Sequence, residues 1–142
     1  MRVVLDSNIL LVSIPKKSVY RPIFDAMLQK KFEIVVSTEI LAEYEELIQR
    51  KANQVVASNI IEMLINLENV FFQDIYFRWN LIAEDPDDNK FADISIASGA
   101  DYLVTEDHHF NPLRSIDFPK IPVIGIKSFL AIIQGDAFHP QT

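Results

Sequence analysis

The chain has 142 residues, with 13 lysines and arginines against 20 aspartates and glutamates, a formal net charge of −7. That balance argues against a basic, groove-filling nucleic-acid binder, but small basic groups (Lys16, Lys17 and Arg21; Lys30 and Lys31; Arg50 and Lys51) leave a nuclease open. No cysteine is present, which excludes disulfides, thiolate chemistry and cysteine-ligated zinc.

With 49% hydrophobic and 23% charged residues, the chain reads as one globular domain with a single sizeable core. No apolar run approaches the roughly 20 residues of a membrane span. Asp6 and Asn8 interrupt what could have been the apolar region of a signal peptide. A soluble, cytoplasmic protein is the expectation.

In chain order, Arg2–Asp6 is a short apolar run that predicts a buried strand. Ser18–Lys31 carries Val19, Ile23 and Met27 at helical spacing, with Lys30 and Lys31 expected in its last turn. Glu33–Ser37 predicts a second buried strand. Thr38–Lys51 repeats Ile40, Leu41, Tyr44, Leu47 and Ile48 as an amphipathic helix, and Asn53–Leu67 forms another, more apolar one. Val70–Ile75 reads as a strand and Asp85-Pro86-Asp87 as a loop. Asp88–Ser98 reads as a helix, with Asp88 as N-cap and Gly99 as C-terminal cap before a strand at Tyr102–Thr105. A last strand, Val123–Ile126, precedes a helix over residues 127–134 and a loose tail from Gly135 to Thr142. Strands alternating with helices imply an α/β fold, a three-layer α/β/α sandwich around a parallel sheet, within one domain over residues 1–134.

Acidic residues carry the functional signal. Asp6 ends the Val3-Val4-Leu5 run, Asp88 opens a helix and Asp107 follows Leu103-Val104-Thr105. In an open α/β sheet, ligands sit in the crevice outside the carboxyl ends of the strands. Carboxylates gathered there repel one another unless a divalent cation joins them. Ser7 and Asn8 could hold the Asp6 carboxylate or serve as ordinary turn residues. On the Thr38–Lys51 helix, Glu43 and Glu45 lie on opposite borders of the apolar stripe, and periodicity does not choose between them. Asp93 falls mid-helix among Phe91, Ala92, Ile94 and Ile96, facing either the crevice or water. A calcium loop at Asp85, Asp87 and Asn89 fails, because Lys90 stands where glycine is needed and Ile96 where a glutamate is needed. His108 and His109 are adjacent, so their side chains should diverge in a surface loop rather than clamp a metal. Oxygen ligands from Asp and Glu favour magnesium or manganese over zinc.

Val3-Val4-Leu5-Asp6-Ser7-Asn8, Leu41-Ala42-Glu43-Tyr44, the segment Asp85–Phe91, and Ala100–Asp107 together resemble the PIN domain, and more narrowly the PIN toxins of bacterial toxin–antitoxin systems. The resemblance runs from residue 1 to about 133. It implies a parallel-sheet α/β/α fold and a metal-dependent endoribonuclease. The family's four acids fall onto Asp6, Glu43, Asp88 and Asp107, which selects Glu43 over Glu45. Its hydroxyl residue falls onto Thr105, and Asn8 and Asp93 take supporting places. One or two Mg2+ or Mn2+ ions would be held by Asp6, Asp88 and Asp107, with Glu43 as a further ligand or through water. Positive charge near an RNA phosphate would come from the metal, aided by Lys90 or Lys16-Lys17. A small cognate antitoxin and a homodimer are the implied protein partners, with the helix at Asn53–Leu67 the most apolar candidate surface.

Three alternatives compete. An aspartate-nucleophile phosphohydrolase wants Asp-x-Asp, and the second position here is Asn8. A receiver-like phosphoacceptor lacks a paired acid beside Asp6. A PIN-like module that binds RNA or protein without cutting leaves the retention of four acids unaccounted for.

Overall fold

Val3, Val4, Leu5, Ile34, Val35 and Val36 have no solvent exposure at all. Consecutive strand residues point to opposite faces, so such runs require a sheet covered on both sides. They form β1 (Arg2–Leu5) and β2 (Glu33–Val36). The structure, a computed structural model, describes residues 1–138. Its sheet has five strands in the order β3-β2-β1-β4-β5, where β3 is Val70–Phe72, β4 is Tyr102–Val104 and β5 is Val123–Ile124. Every pairing is parallel, with Val3 opposite Ile34 on one side and Tyr102 on the other. Among the described residues, six α-helices cover this sheet: α1 (Ser7–Ser13), α2 (Arg21–Leu28), α3 (Thr38–Lys51), α4 (Gln54–Asn66), α5 (Asn89–Ser98) and α6 (Ile126–Phe138). The expected α/β/α sandwich with a central parallel sheet is the observed fold. No helix among the described residues is long and apolar enough to cross a membrane.

The strand order locates the crevice. From β1 the chain builds outward through β2 to β3, then returns to place β4 on the other side of β1. Connections therefore diverge between β1 and β4, leaving a gap at their carboxyl ends, where open α/β sheets bind ligands. Asp6 and Thr105 are the residues that follow those two strands.

Local chemistry explains most boundaries. The Ser37 side chain accepts a hydrogen bond from the Ile40 N–H at 3.2 Å and starts α3, and Asn53 caps α4 through the Val56 N–H at 2.9 Å. Gly99 ends α5 at φ +64°, the left-handed conformation that glycine adopts freely.

Several expectations need correction. Residues 7–13 form a helix, α1, that no amphipathic spacing announces. α2 is shorter than its apolar spacing suggests, because Lys30 turns at φ +60°. Lys30 and Lys31 thus lie beyond the helix rather than in its last turn, and Lys30 pairs with Glu68 at 3.2 Å. Asp88 stands before α5 but makes no capping bond. A 3-10 turn over Pro86–Asp88 leads into the helix instead, capped by Asp85, which accepts from the Asp87 N–H at 3.2 Å. β3 and β5 are shorter than expected, as edge strands often are. The predicted final helix over residues 127–134 begins and ends wider, as α6, and residues 139–142 of the expected tail lie outside the described residues.

Candidate metal centre

Asp6 is the deepest of the four family acids, 6% exposed where β1 passes into α1. The Thr105 hydroxyl donates to Asp6 Oδ2 at 2.7 Å, and Thr105 Oγ1 itself accepts from the Asp107 N–H at 3.0 Å. One buried hydroxyl therefore ties the ends of β1 and β4 together and fixes two acids relative to each other. Burial is the main cause that lifts the Asp6 carboxyl from 3.8 to about 6, with Glu43 and Asp107 adding repulsion and the Thr105 and Ser7 hydrogen bonds opposing it.

α3 delivers Glu43. Tyr44, fully buried, donates its hydroxyl to the Leu5 carbonyl at 2.6 Å and so pins α3 against the end of β1. One residue earlier on the helix, Glu43 then meets α1: the Ser7 hydroxyl donates to Glu43 Oε2. Lys90 Nζ lies 2.7 Å from Glu43 Oε1 and also donates to the Asp87 carbonyl at 2.6 Å. Both Glu43 oxygens are thus engaged. Beside this pair a groove of about 520 Å³ opens, lined by Asn8, Glu43, Glu46, Arg50, Asp87 and Lys90 among others. Asn8 is exposed on its wall.

The start of α5 and the loop after β4 supply the remaining acids. Burial again leads in raising the Asp88 carboxyl from 3.8 to about 7, followed by repulsion from Asp85, Asp107 and Asp6, with His109 opposing. Asp88 Oδ2 is buried and has no hydrogen-bond partner. Among the described residues no lysine or arginine pairs with Asp6, Asp88 or Asp107, in contrast to Glu43. Three mutually repelling aspartates without a lysine or arginine partner, one with an orphaned buried oxygen, suit a divalent ion by their charge, although their carboxylate oxygens do not all lie within 4.8 Å of one another. The ligand atoms of Asp85, Asp88 and His109 lie within 4.8 Å of one another, as do those of Glu84, His108 and His109.

Asp93 does not join this group. It is 2% exposed, so it faces neither water nor the crevice acids; its Oδ1 accepts the Trp79 N–H at 3.0 Å. Asp93 anchors the segment between β3 and α5, with burial raising its carboxyl above the ordinary range.

His109 was set aside from sequence along with His108 as a diverging surface pair, and that expectation is corrected. Residues 108–115 form a 3-10 turn instead of an open loop, because Phe110 and Leu113 bury themselves beneath it. Asp107 Oδ1 accepts the His109 N–H at 2.9 Å, and the His108 and His109 rings lie 4.4 Å apart. That turn swings His109 Nδ1 to 3.1 Å from Asp107 Oδ1 and 3.5 Å from Asp88 Oδ2. The available signal was Asp107 two residues before His109, an Asx-type turn start, with apolar Phe110 and Leu113 three apart.

Comparison with known proteins follows the same geometry. Residues 2–109 match the family model of the PIN domain. The chain belongs to the PIN-domain family. Its fold is similar to a chain of VapBC2 from Rickettsia felis, solved bound to a DNA fragment from the promoter, with a TM-score of 0.59 at 18% identity over 88% of this chain and 98% of that one. It is also similar to Mycobacterium tuberculosis VapC20, a sarcin-ricin loop cleaving toxin, with a TM-score of 0.58 at 12% identity over 82% of this PIN chain and 98% of the other. At these identities the likeness is one of fold. No curated protein matches the sequence.

Proposed function

We propose that this PIN domain is an Mg2+- or Mn2+-dependent endoribonuclease acting on single-stranded RNA, and the toxin of a cytoplasmic toxin–antitoxin pair. The observation that carries the reading is the convergence of Asp6, Asp88 and Asp107, unpaired with lysine or arginine, at the carboxyl ends of β1 and β4. Family membership and the fold shared with VapBC2 and the sarcin-ricin loop cleaving VapC20 support it.

In this reading Asp6, Asp88 and Asp107 hold the cation, and Glu43, with both oxygens already engaged, acts through water. When bound, the ion supplies a water of lowered pKa and offsets charge on the scissile phosphate. The chain's own residues do the rest. Thr105 holds Asp6 and, through the Asp107 N–H, the loop that carries Asp107. Ser7 and Lys90 hold Glu43 at the groove wall. Lys90 and Arg50 bring positive charge to a groove otherwise rich in acids, where an RNA backbone would pass. A carboxylate left free of the ion takes the proton of the attacking water. A small antitoxin would cover this mouth, and self-association would use the exposed Val55 and Ile65 of α4.

Incubation of the protein with a labelled single-stranded RNA tests the reading. Products should form with Mn2+, vanish in EDTA and return when Mn2+ is restored. RNA that is bound but left intact under every metal would establish the non-catalytic module instead.

A further inference from the structure

The four acids of the reading above are all oxygen donors, yet the side chain placed most closely among the aspartates is an imidazole. His109 Nδ1 lies 3.1 Å from Asp107 Oδ1, 3.5 Å from Asp88 Oδ2 and 3.9 Å from Asp85 Oδ2. Both His109 Nδ1 and Asp88 Oδ2 are buried, and neither makes a hydrogen bond. Two buried polar atoms facing each other without partners are costly as they stand. Ligand atoms sharing one cation at about 2.0–2.2 Å sit roughly 3 to 4.4 Å apart, and the ligand atoms of Asp85, Asp88 and His109 come together within 4.8 Å of one another.

Three groups surround the ring. Its backbone N–H is bound to Asp107 Oδ1, and the His108 ring lies against it. On the far side, Nε2 is 3.6 Å from Glu84 Oε2. At 3.6 Å the contact is longer than a hydrogen bond, so Glu84 puts negative charge behind the ring without fixing it.

We propose that His109, with Asp85 beside it, is a ligand of the cation that Asp88 holds, and that its nitrogen biases this site toward Mn2+ or another transition ion over Mg2+. The inference rests on the reading of these aspartates as a cation site. Magnesium takes oxygen ligands and imidazole suits the transition ions, so one nitrogen donor shifts the preference.

Pulsed electron paramagnetic resonance of Mn2+ bound to the wild-type protein reads the proposal directly. An imidazole nitrogen coupling should be present, and should disappear in His109→Asn. Calorimetric titration should show Mn2+ affinity falling about tenfold or more in that variant, with Mg2+ affinity changed much less. Bound Mn2+ without nitrogen coupling in the wild type overturns the proposal, as does an equal loss of affinity for both ions. If the wild type cuts RNA with Mn2+ but shows no such coupling, only the role of His109 falls. If it binds neither ion, the cation site beneath it falls as well.

Discussion

Replacing Asp6 by asparagine should make the metal-free protein more stable at pH 8. The Asp6 carboxyl is raised from 3.8 to about 6, chiefly by burial. Below pH 3.8 the group is neutral in both folded and unfolded chains, and the shift has no effect on stability. As pH rises, the unfolded chain loses its proton first, and stability declines until the folded group ionises near 6. Above that the deficit is constant. The gap between 3.8 and about 6, at about 1.4 kcal/mol per pH unit, amounts to roughly 3 kcal/mol. Asparagine removes this deficit and still accepts a hydrogen bond from Thr105, though the bond to a neutral acceptor is weaker by about 1 kcal/mol. The net gain is about 2 kcal/mol at pH 8, or roughly 6–10 °C in Tm for a chain of this size. At pH 5 the wild-type deficit has fallen to about half, so the gain should shrink to less than about 1 kcal/mol. Thermal unfolding in EDTA at both pH values measures this. Mn2+ at about 100 times its Kd should then restore roughly 2.7 kcal/mol to the wild type and much less to Asp6→Asn. An Asp6→Asn protein that melts at or below the wild-type Tm at pH 8 in EDTA refutes the reasoning.

Thr105→Val removes the donor to Asp6 and leaves the Asp107 N–H without its acceptor, so urea denaturation at pH 8 should show a loss of about 2–3 kcal/mol. Lys90→Met unpairs Glu43, which is one-third exposed; stability should fall by about 1 kcal/mol or less, while the rate of RNA cleavage drops more steeply than that loss accounts for. Gly99→Ala meets no atom within 4 Å, so its effect isolates backbone strain at φ +64° and should be about 1–2 kcal/mol in chemical denaturation.

The parts of the fold that were legible in the sequence are those where one physical signal dominates. α3 was read with its observed bounds because its apolar residues repeat at helical spacing, and the Ser37 cap and the basic last turn of the folded helix agree with that stripe. The buried strands β1 and β2 announced themselves as β-branched runs. α1 did not, since Ile9, Leu10, Leu11 and Val12 follow one another without helical spacing, and its start is set by tertiary contacts at Asp6. The left-handed turn at Lys30 is likewise a conformation that lysine seldom adopts, and nothing in its neighbours requires it.

At the site, Asp6 and Asp88 were suspects by position alone, because strand ends and helix starts converge at the switch point of an α/β sheet. Glu43 needed the family pattern, since helix periodicity placed it level with Glu45. Asp93 misled for an instructive reason: a mid-helix acid can be buried to hold a neighbouring backbone N–H, here that of Trp79, with no part in the crevice. His109 stayed hidden because its orientation depends on a 3-10 turn driven by the burial of Phe110 and Leu113. That packing is a property of the folded core and not of the dipeptide.

The central claim is that Asp6 and Asp88 hold the ion that cuts RNA. It is tested most directly by comparing Mn2+-dependent cleavage of one single-stranded RNA by wild type, Asp6→Asn and Asp88→Asn at equal concentration. The wild type should cleave, and each variant should lose about a hundredfold or more, the scale of removing a principal charge-stabilising group. Cleavage by both variants at the wild-type rate would contradict it.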